Sequence, residues 1–264
     1  MFFVYAIFFI VSFGASIIGA ICGIGGGVII KPVLDSFGIL SVSSIGFLSG
    51  CTVLAMSCYS VIRSKLSKNS SIDMTTGTPL AIGAIVGGIT GKNLYHFVAS
   101  LFSDPNTIGA VQAILLGFVT LLTLIYTIKK DKIKTHEFHS VILCLVIGFF
   151  LGVMSSFLGI GGGPINLVVL YYFFSMTTKV AAQNSLYIIL FSQASNFFTT
   201  VFTNSVPNVS HLLLFGMILC GILGAMAGRA INKKIDDAIV DKLFILLMGV
   251  IILINVYNTF KYLG

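Results

Sequence analysis

Two copies of a glycine-rich motif are the residues best suited to do chemistry in this chain. The first copy covers residues 23–28 (GIGGGV) and the second covers residues 159–164 (GIGGGP). Each glycine in a helix interior costs up to about 1 kcal/mol relative to alanine, so four glycines in five positions predict an interruption. Pro164 suits the first position of a helix, where its missing N–H is not needed. Each copy therefore predicts a helix break followed by the N-terminus of a short helix.

Such a break can bind an anion. Both copies lie inside long apolar segments, where open backbone is tolerated only if it is buried in protein or lines a cavity. Exposed N–H groups and the positive end of the helix dipole meet there, and both favour negative charge. The alternative is close helix packing, which is less favoured because packing glycines recur every fourth residue. We therefore predict a substrate site at Gly25, Gly26, Gly27, Gly161, Gly162 and Gly163.

Neutral polar side chains add candidate donors. Amides and hydroxyls at membrane depth cost several kcal/mol if unpaired, so they must face protein, water or substrate. The segment 179–203 carries several of them, and Asn166 follows the second motif. Hydrogen bonding between helices is the alternative, and the sequence does not decide between the two. The candidate substrate-binding side chains are Ser49, Gln183, Asn184 and Ser185, and Ser192, Gln193, Asn196 and Asn166 lie nearby in sequence.

Composition requires a lipid bilayer as the partner of this chain. Of the 264 residues, 57% are hydrophobic and 9% are charged, against roughly 25% charged in soluble domains. The basic residues that give the net charge of +7 lie in short loops, so they indicate the orientation of the chain in the membrane and not a nucleic-acid partner. The five cysteines form no C-x-x-C pair, so neither a metal, a disulfide nor a cofactor is indicated. We expect an all-α, multi-pass protein whose apolar segments are 3–22, 28–40, 44–62, 77–98, 108–128, 140–158, 164–175, 183–203, 211–232 and 243–261.

The two halves of the chain, residues 1–135 and 136–264, match each other. Aligning Gly23 with Gly159 superposes the glycine motifs and also relates Ser49 to Ser185. Aligning Gly83 with Cys220, at a nearly equal offset, relates two ladders of small residues, each closed by a cation. The ladders are Gly83, Gly87, Gly91-Lys92 and Cys220, Gly224, Gly228-Arg229, and their spacing is typical of helix packing. Paired glycine-interrupted segments at corresponding positions are typical of transporter binding sites.

Charge favours an inverted relation between the halves. If each glycine motif is the tip of a hairpin that enters and leaves by one face, twelve cationic residues share one side of the membrane and three lie opposite. If each motif only interrupts a crossing, the division is eight against seven. We therefore predict two inverted repeats, each a glycine-tipped broken-helix hairpin plus three spanning helices. The three cations on the minority side are Lys31, Lys92 and Lys261.

The remaining charges are expected at the interfaces. Lys31, Lys92, Lys179 and Arg229 should snorkel at helix ends, with attraction of an anion to the cavity mouth as their role. The acidic residues, Asp35 among them, fall in loops or at segment ends, so no carboxylate relay is expected. Transport would then follow the anion gradient and the membrane potential. An inside-negative potential favours anion exit by about 2.3 kcal/mol per charge per 100 mV.

The two motifs and the two ladders resemble those of the TauE/SafE sulfite exporter family over essentially the whole chain. The resemblance implies a permease of the bacterial inner membrane for small sulfur-containing anions such as sulfite, sulfonates or sulfoacetate. One departure is Phe47, which occupies the place that Gln183 has in the second half.

The expected function is export of such an anion by alternating access. The alternatives are an importer of a related sulfur anion such as thiosulfate, a non-transporting membrane scaffold, or a membrane-embedded enzyme. An enzyme would need convergent histidines, cysteines or carboxylates at depth, which the sequence does not place there, so we expect none. The sequence leaves the oligomeric state open, and a homo-oligomer is one alternative.

Overall fold

Ten α-helices and one short 3-10 helix build the part of the chain that the computed structural model describes, residues 2–67, 71–102, 104–138 and 140–264. No strand occurs in these residues. The helices are α1 (Phe2–Cys22), α2 (Gly27–Phe37), α3 (Val42–Lys65), α4 (Met74–Ser100), α5 (Pro105–Lys129), a 3-10 turn (Lys130–Lys132), α6 (Val141–Leu158), α7 (Pro164–Phe174), α8 (Thr178–Phe202), α9 (His211–Asn232) and α10 (Asp237–Leu263). Each predicted apolar segment coincides with one of these helices.

Seven of the described helices are long and apolar enough to cross a bilayer, namely α1, α3, α5, α6, α8, α9 and α10. Large apolar side chains on their outer faces are exposed, as at Ile142, Leu253 and Phe260. An exposed apolar surface of this extent requires lipid and not water. The prediction of an all-α integral membrane protein is therefore confirmed.

The long helices α3 and α8 pack against each other at the centre of the molecule. Around them, the helices of the two halves interlock: α1 packs on α9, α4 packs on α6, and α5 packs on α10. The short helix α2 lies against α3 and α10, and the short helix α7 lies against α8 and α5. These contacts have counterparts in the other half, as do those of α4 with α8 and of α9 with α3.

The two small-residue ladders bring helices into backbone contact, as their spacing predicts. A side chain at Gly83, Gly87 or Gly91 on α4 would overlap a carbonyl group of α6. A side chain at Gly224 or Gly228 on α9 would overlap the backbone of α1 at Phe13 or Ile17. Only glycine permits this approach.

Helix α1 is long for one arm of a hairpin, at about 1.5 Å per residue. It runs beside α9 over most of its length, from the contact of Phe9 with Gly216 to the end of both helices. At that end the side-chain amide of Asn232 donates to the carbonyl oxygen of Ile21 over 2.7 Å. The first arm therefore extends as deep as α9 before the chain turns at Gly23.

Candidate functional site

The two glycine motifs are turns between helices. Residues 23–26 separate α1 from α2, and residues 159–163 separate α6 from α7. Six of their glycines have φ between +66° and +109°, which side-chain-bearing residues rarely adopt. Gly163 combines φ 66° with ψ −151°, a region that essentially only glycine populates. Pro164 is the first residue of α7, as the sequence predicts.

The two turns touch each other. A side chain at Gly27 would overlap the carbonyl group of Ile160, and one at Gly163 would contact Val28. Val53 of α3 and Ile189 of α8 pack on both turns, each from about the middle of its helix. These two residues correspond in the alignment of the halves that superposes the glycine motifs. The turns therefore meet halfway along the two central helices.

Several backbone N–H groups of the turns have no acceptor. Those of Gly25, Gly161, Gly162 and Gly163 donate to none of the described residues, although all four residues are buried. The N–H of Gly26 points at the sulfur of Met56 over 3.2 Å, and sulfur is a weak acceptor. Buried donors are nearly always paired in folded proteins, so a cluster of unpaired ones indicates a place for an acceptor.

Two buried amides stand beside the second turn. Asn166, on the first turn of α7, is 1% exposed, and its side-chain nitrogen and oxygen have no partner among the residues that the structure describes. Its Nδ2 lies 2.7 Å from the position that a Cβ of Gly162 would take. Gln193 of α8 donates from Nε2 to the hydroxyl of Ser155 over 3.3 Å, and its Oε1 is unpaired. Both amides can turn a donor toward an acceptor held at the turns.

Of the predicted side chains, Ser49 and Ser185 lie one helical turn from Val53 and Ile189 on the central helices. Both are fully buried, and neither hydroxyl has a partner in the described part of the chain. They occupy corresponding positions in the two halves. Each hydroxyl therefore lies one helical turn from a residue that packs on the glycine turns.

Gln183 and Asn184 are instead bonded to the connection between α3 and α4. The side-chain oxygen of Gln183 accepts from the hydroxyl of Ser64, near the end of α3, over 2.6 Å and from the N–H of Ser71 in the connection over 3.4 Å. The amide of Asn184 accepts from the N–H of Asp73 and donates to the carbonyl of Ser71, each over 3.0 Å. These bonds direct the two amides, which lie in the first turns of α8, to the α3–α4 connection and not to the glycine turns.

Asp73 is the N-cap residue of α4 and the last residue of this connection. Burial of its carboxyl opposes ionisation, but hydrogen bonds from Thr75 and Thr76 outweigh that effect and lower its pKa. The ionised carboxylate accepts from the N–H of Thr75 over 2.9 Å and so caps the helix. Asn184 therefore bonds to a firmly held backbone.

Two cavities approach the turns from opposite ends of α3 and α8. The first, which we name the basic cavity, has a volume of about 540 Å³ and lies where α3 ends and α8 begins. The second, the narrow cavity, has a volume of about 30 Å³ and lies where α3 begins and α8 ends. The basic cavity is lined by Ala20, Ser60, Val61, Ser64, Ser67, Ile72, Lys179, Ala182, Gln183, Leu186, Arg229, Asn232 and Lys233. The narrow cavity is lined by Lys31, Val42, Ser43, Gly46, Phe47, Gly50, Cys51, Lys92, Tyr95, Gln112, Ser156, Gly159, Gln193, Asn196, Phe197 and Thr200.

The four cations named from the sequence differ in their surroundings. Arg229 donates to the carbonyl groups of Ser60 and Arg63 over 3.4 and 3.0 Å, at the C-terminus of α3. The prediction that Lys31 snorkels at an interface is wrong, because its side chain is 5% exposed and paired with Asp35. Asp35 lies in the last turn of α2, which ends at Phe37, so it is at a segment end as predicted, but its side chain is buried. The spacing of four residues between the two was the signal in the sequence.

Sequence reasoning also missed two neighbours of the turns. The hydroxyl of Ser16 lies 3.2 Å from the Cβ position of Gly26 and has no hydrogen-bond partner within the described ranges. Ser155 accepts from Ser192 over 3.0 Å and from Gln193. Both serines stand in predominantly apolar helices, α1 and α6, and that contrast alone could have marked them.

Comparison with known proteins identifies the family of this chain. The chain is 21% identical to the probable membrane transporter protein YunE of Bacillus subtilis (strain 168), and the match covers 95% of each chain. No solved structure matches the chain. A family profile described as sulfite exporter TauE/SafE matches residues 8–254, so this chain belongs to the TauE/SafE family of membrane transporters.

Proposed function

We propose that this membrane permease exports a small sulfur-containing oxyanion of the sulfite, sulfonate or sulfoacetate class across a bacterial inner membrane. The observation that carries the proposal is the cluster of buried, unpaired N–H groups at Gly161, Gly162 and Gly163, which stands between two cavities. An oxyanion offers several acceptor oxygens to such donors, and charge-assisted bonds of this kind are stronger than neutral ones. The name of the matching family, sulfite exporter, supports the sulfur-anion class.

In this proposal the substrate lies between the two turns. Gly25, Gly26 and Gly27 contribute from the first turn, and Ser49 and Ser185 add hydroxyl donors. Gln183 acts earlier, from the wall of the basic cavity, and Asn184 holds the α3–α4 connection that forms one rim of that cavity. Asn166 and Gln193 extend the predicted set beside the second turn.

We propose further that residues 1–135 and 136–264 are inverted repeats that rock about the turns. The reciprocal packing of α1 on α9 and of α6 on α4 supports this relation, since the partners exchange places between the halves. Rocking of such repeats exposes a central site to one cavity and then to the other.

The direction of transport follows from the charge bias. The side with twelve cations is the cytoplasmic side under the positive-inside rule, and it holds the basic cavity with Lys179, Arg229 and Lys233. A cavity lined by cations concentrates anions. Anions would therefore enter from the cytoplasm, which favours export; uptake of a related sulfur anion such as thiosulfate is the alternative with the same architecture.

The test is flux in proteoliposomes loaded with radiolabelled sulfite or methanesulfonate. Gly162→Leu should lower flux at least about tenfold, because the side chain would displace the turn and its N–H groups, and each buried hydrogen bond to a charged group is worth about 1.5–3 kcal/mol. Even the Cβ of the new residue would stand 2.8 Å from Ile189 Cγ1. Gly249→Leu is the matched control, since nothing lies within 4 Å of its Cβ position. Normal flux in the Gly162 variant would refute the site, and absence of any sulfur-anion flux in the unaltered protein would favour a scaffold.

A further inference from the structure

A buried ion pair stands beside the candidate site. Lys31 and Asp35 are one turn apart on α2, and Nζ lies 2.8 Å from Oδ2, with the two side chains 5% and 6% exposed. The second carboxylate oxygen, Oδ1, forms no hydrogen bond of normal geometry with the described residues, although the hydroxyl of Tyr262 on α10 faces the carboxylate. A buried pair repays its desolvation only when its polar atoms are satisfied, so this carboxylate depends on the ammonium group of Lys31 for its main compensation.

The pair is connected to both glycine turns. Lys31 follows Gly27 of the first turn by four residues. Its Cε and Cδ lie 3.4 and 3.6 Å from the Cβ position of Gly159, so the side chain runs along the second turn. Lys31 also lines the narrow cavity. An anion held at the turns on the side of that cavity therefore has the ammonium group of Lys31 within reach.

The neighbouring charges make this region positive. From α10, Lys261 donates to the carbonyl oxygens of Asp35 and Ser36 over 3.3 and 2.8 Å. Among these groups Asp35 supplies the one negative charge. Helix α1 carries no charged residue. The titratable groups that face the pair or share its cavity are Lys261 and Tyr262 of α10, Lys92 and Tyr95 of α4 and Cys51 of α3.

We propose that anion binding at Lys31 is coupled to the uptake of one proton by Asp35. The anion takes the place of the carboxylate beside the ammonium group, which keeps its charge. The freed carboxylate accepts a proton from water and forms one O–H bond, so no buried negative charge is left unpaired. The inference rests on the proposed function and adds its coupling ion.

Coupling of this kind is reciprocal, because whatever favours the protonated carboxyl favours the bound anion by the same factor. Where Asp35 is ionised in the free protein, each rise of one pH unit should weaken anion binding about tenfold. An anion with one charge and one proton move together as a neutral unit. The membrane potential then does not drive transport, and flux follows the combined gradients of anion and proton. This differs from the potential-driven export that the sequence suggested.

Proton uptake by the purified protein tests the coupling directly. Methanesulfonate is added to the protein in weakly buffered detergent with a pH indicator, because its sulfonate stays ionised near neutral pH. We expect about one proton taken up per anion bound, and a dissociation constant that rises about tenfold per pH unit. In Asp35→Asn the proton uptake should vanish, and the dissociation constant for methanesulfonate should change less than about twofold per pH unit. Asp241→Asn, which removes the more exposed ion pair with Lys130, is the matched control and should keep the full proton uptake.

Asp35→Asn leaves Lys31 without its partner and can fail to fold. The double variant Lys31→Met/Asp35→Leu removes both charges, a change that proteins often tolerate. It should fold and should take up no proton with methanesulfonate. Proton uptake at the level of the unaltered protein in either variant would overturn the coupling.

Flux separates this inference from the proposed function. In proteoliposomes with potassium and valinomycin, a potential of about 100 mV should leave methanesulfonate flux unchanged, whereas uncoupled movement of one charge would shift its equilibrium ratio roughly 50-fold. Flux that follows the potential, with no proton uptake, overturns the coupling and leaves the permease intact. Absence of both binding and flux for sulfite and methanesulfonate overturns both.

Discussion

The basic cavity and the narrow cavity are built from corresponding residues of the two halves, yet their volumes are about 540 and 30 Å³. The alignment of Gly23 with Gly159 relates Ala20, Ser60, Val61, Ser64, Lys179, Ala182, Gln183 and Leu186 of the first to Ser156, Asn196, Phe197, Thr200, Ser43, Gly46, Phe47 and Gly50 of the second. The alignment of Gly83 with Cys220 relates Arg229 and Asn232 to Lys92 and Tyr95.

Two of the substitutions between these cavities account for much of the difference. Gln183 and Val61 in the basic cavity are replaced by Phe47 and Phe197 in the narrow one. These two rings stack with centroids 6.4 Å apart and planes 20° from parallel. One architecture therefore yields an open end and a closed end, as expected of a carrier whose halves take unequal arrangements at any moment.

The equivalence of the two halves is tested most severely at their packing glycines. Gly87→Leu would push a side chain into the carbonyl group of Phe149, and Gly224→Leu would do the same at Phe13. Backbone atoms cannot move aside as side chains do, so each variant should lose about 3 kcal/mol of stability or more. The melting temperature of the purified protein in detergent measures this loss.

Gly14→Leu on α1 is the control for these two variants, because nothing lies within 4 Å of its Cβ position. A large loss for Gly87→Leu together with a negligible loss for Gly224→Leu would contradict the equivalence of the two helix pairs.

Accessibility to a water-soluble thiol reagent tests the difference between the cavities. Ala20 and Ser156 are small, correspond in sequence and line the basic and the narrow cavity respectively. In a background without the five native cysteines, Ala20→Cys should react at least about tenfold faster than Ser156→Cys, a difference of about 1.4 kcal/mol in effective accessibility. Equal rates of reaction would show that the two ends are equally open in solution.

Most of the frame could be predicted from local sequence. Apolar segments give the helices, and contiguous glycines before Pro164 give the second turn, because these are properties of neighbouring residues. The ladder at Gly83, Gly87 and Gly91 predicts close packing for the same reason. Such patterns do not say which helix supplies the partner.

The side chains of the site were harder to predict, because their partners are distant in the sequence. Asn184 bonds to Ser71 and Asp73, which lie more than a hundred residues earlier, and nothing in the 179–203 segment indicates this. The pairing of Lys31 with Asp35 was visible as a four-residue spacing, but its burial depends on the helices that cover α2. Predicted membrane depth alone therefore misjudged the surroundings of Lys31.

The aromatic pair gives the mildest test of the comparison between the cavities. Phe47→Ala removes one of the two stacked rings, and such a pair is worth about 0.5–1.5 kcal/mol beyond its buried area. The narrow cavity should then open more often, and the reaction of Ser156→Cys with the thiol reagent should accelerate about two- to tenfold. Gln183→Ala changes the corresponding position of the basic cavity, which is already open, so Ala20→Cys should react at an unchanged rate. If Phe47→Ala left the rate at Ser156→Cys unchanged, the closure would have to come from the helix backbones around Gly46 and Gly50 and not from the rings.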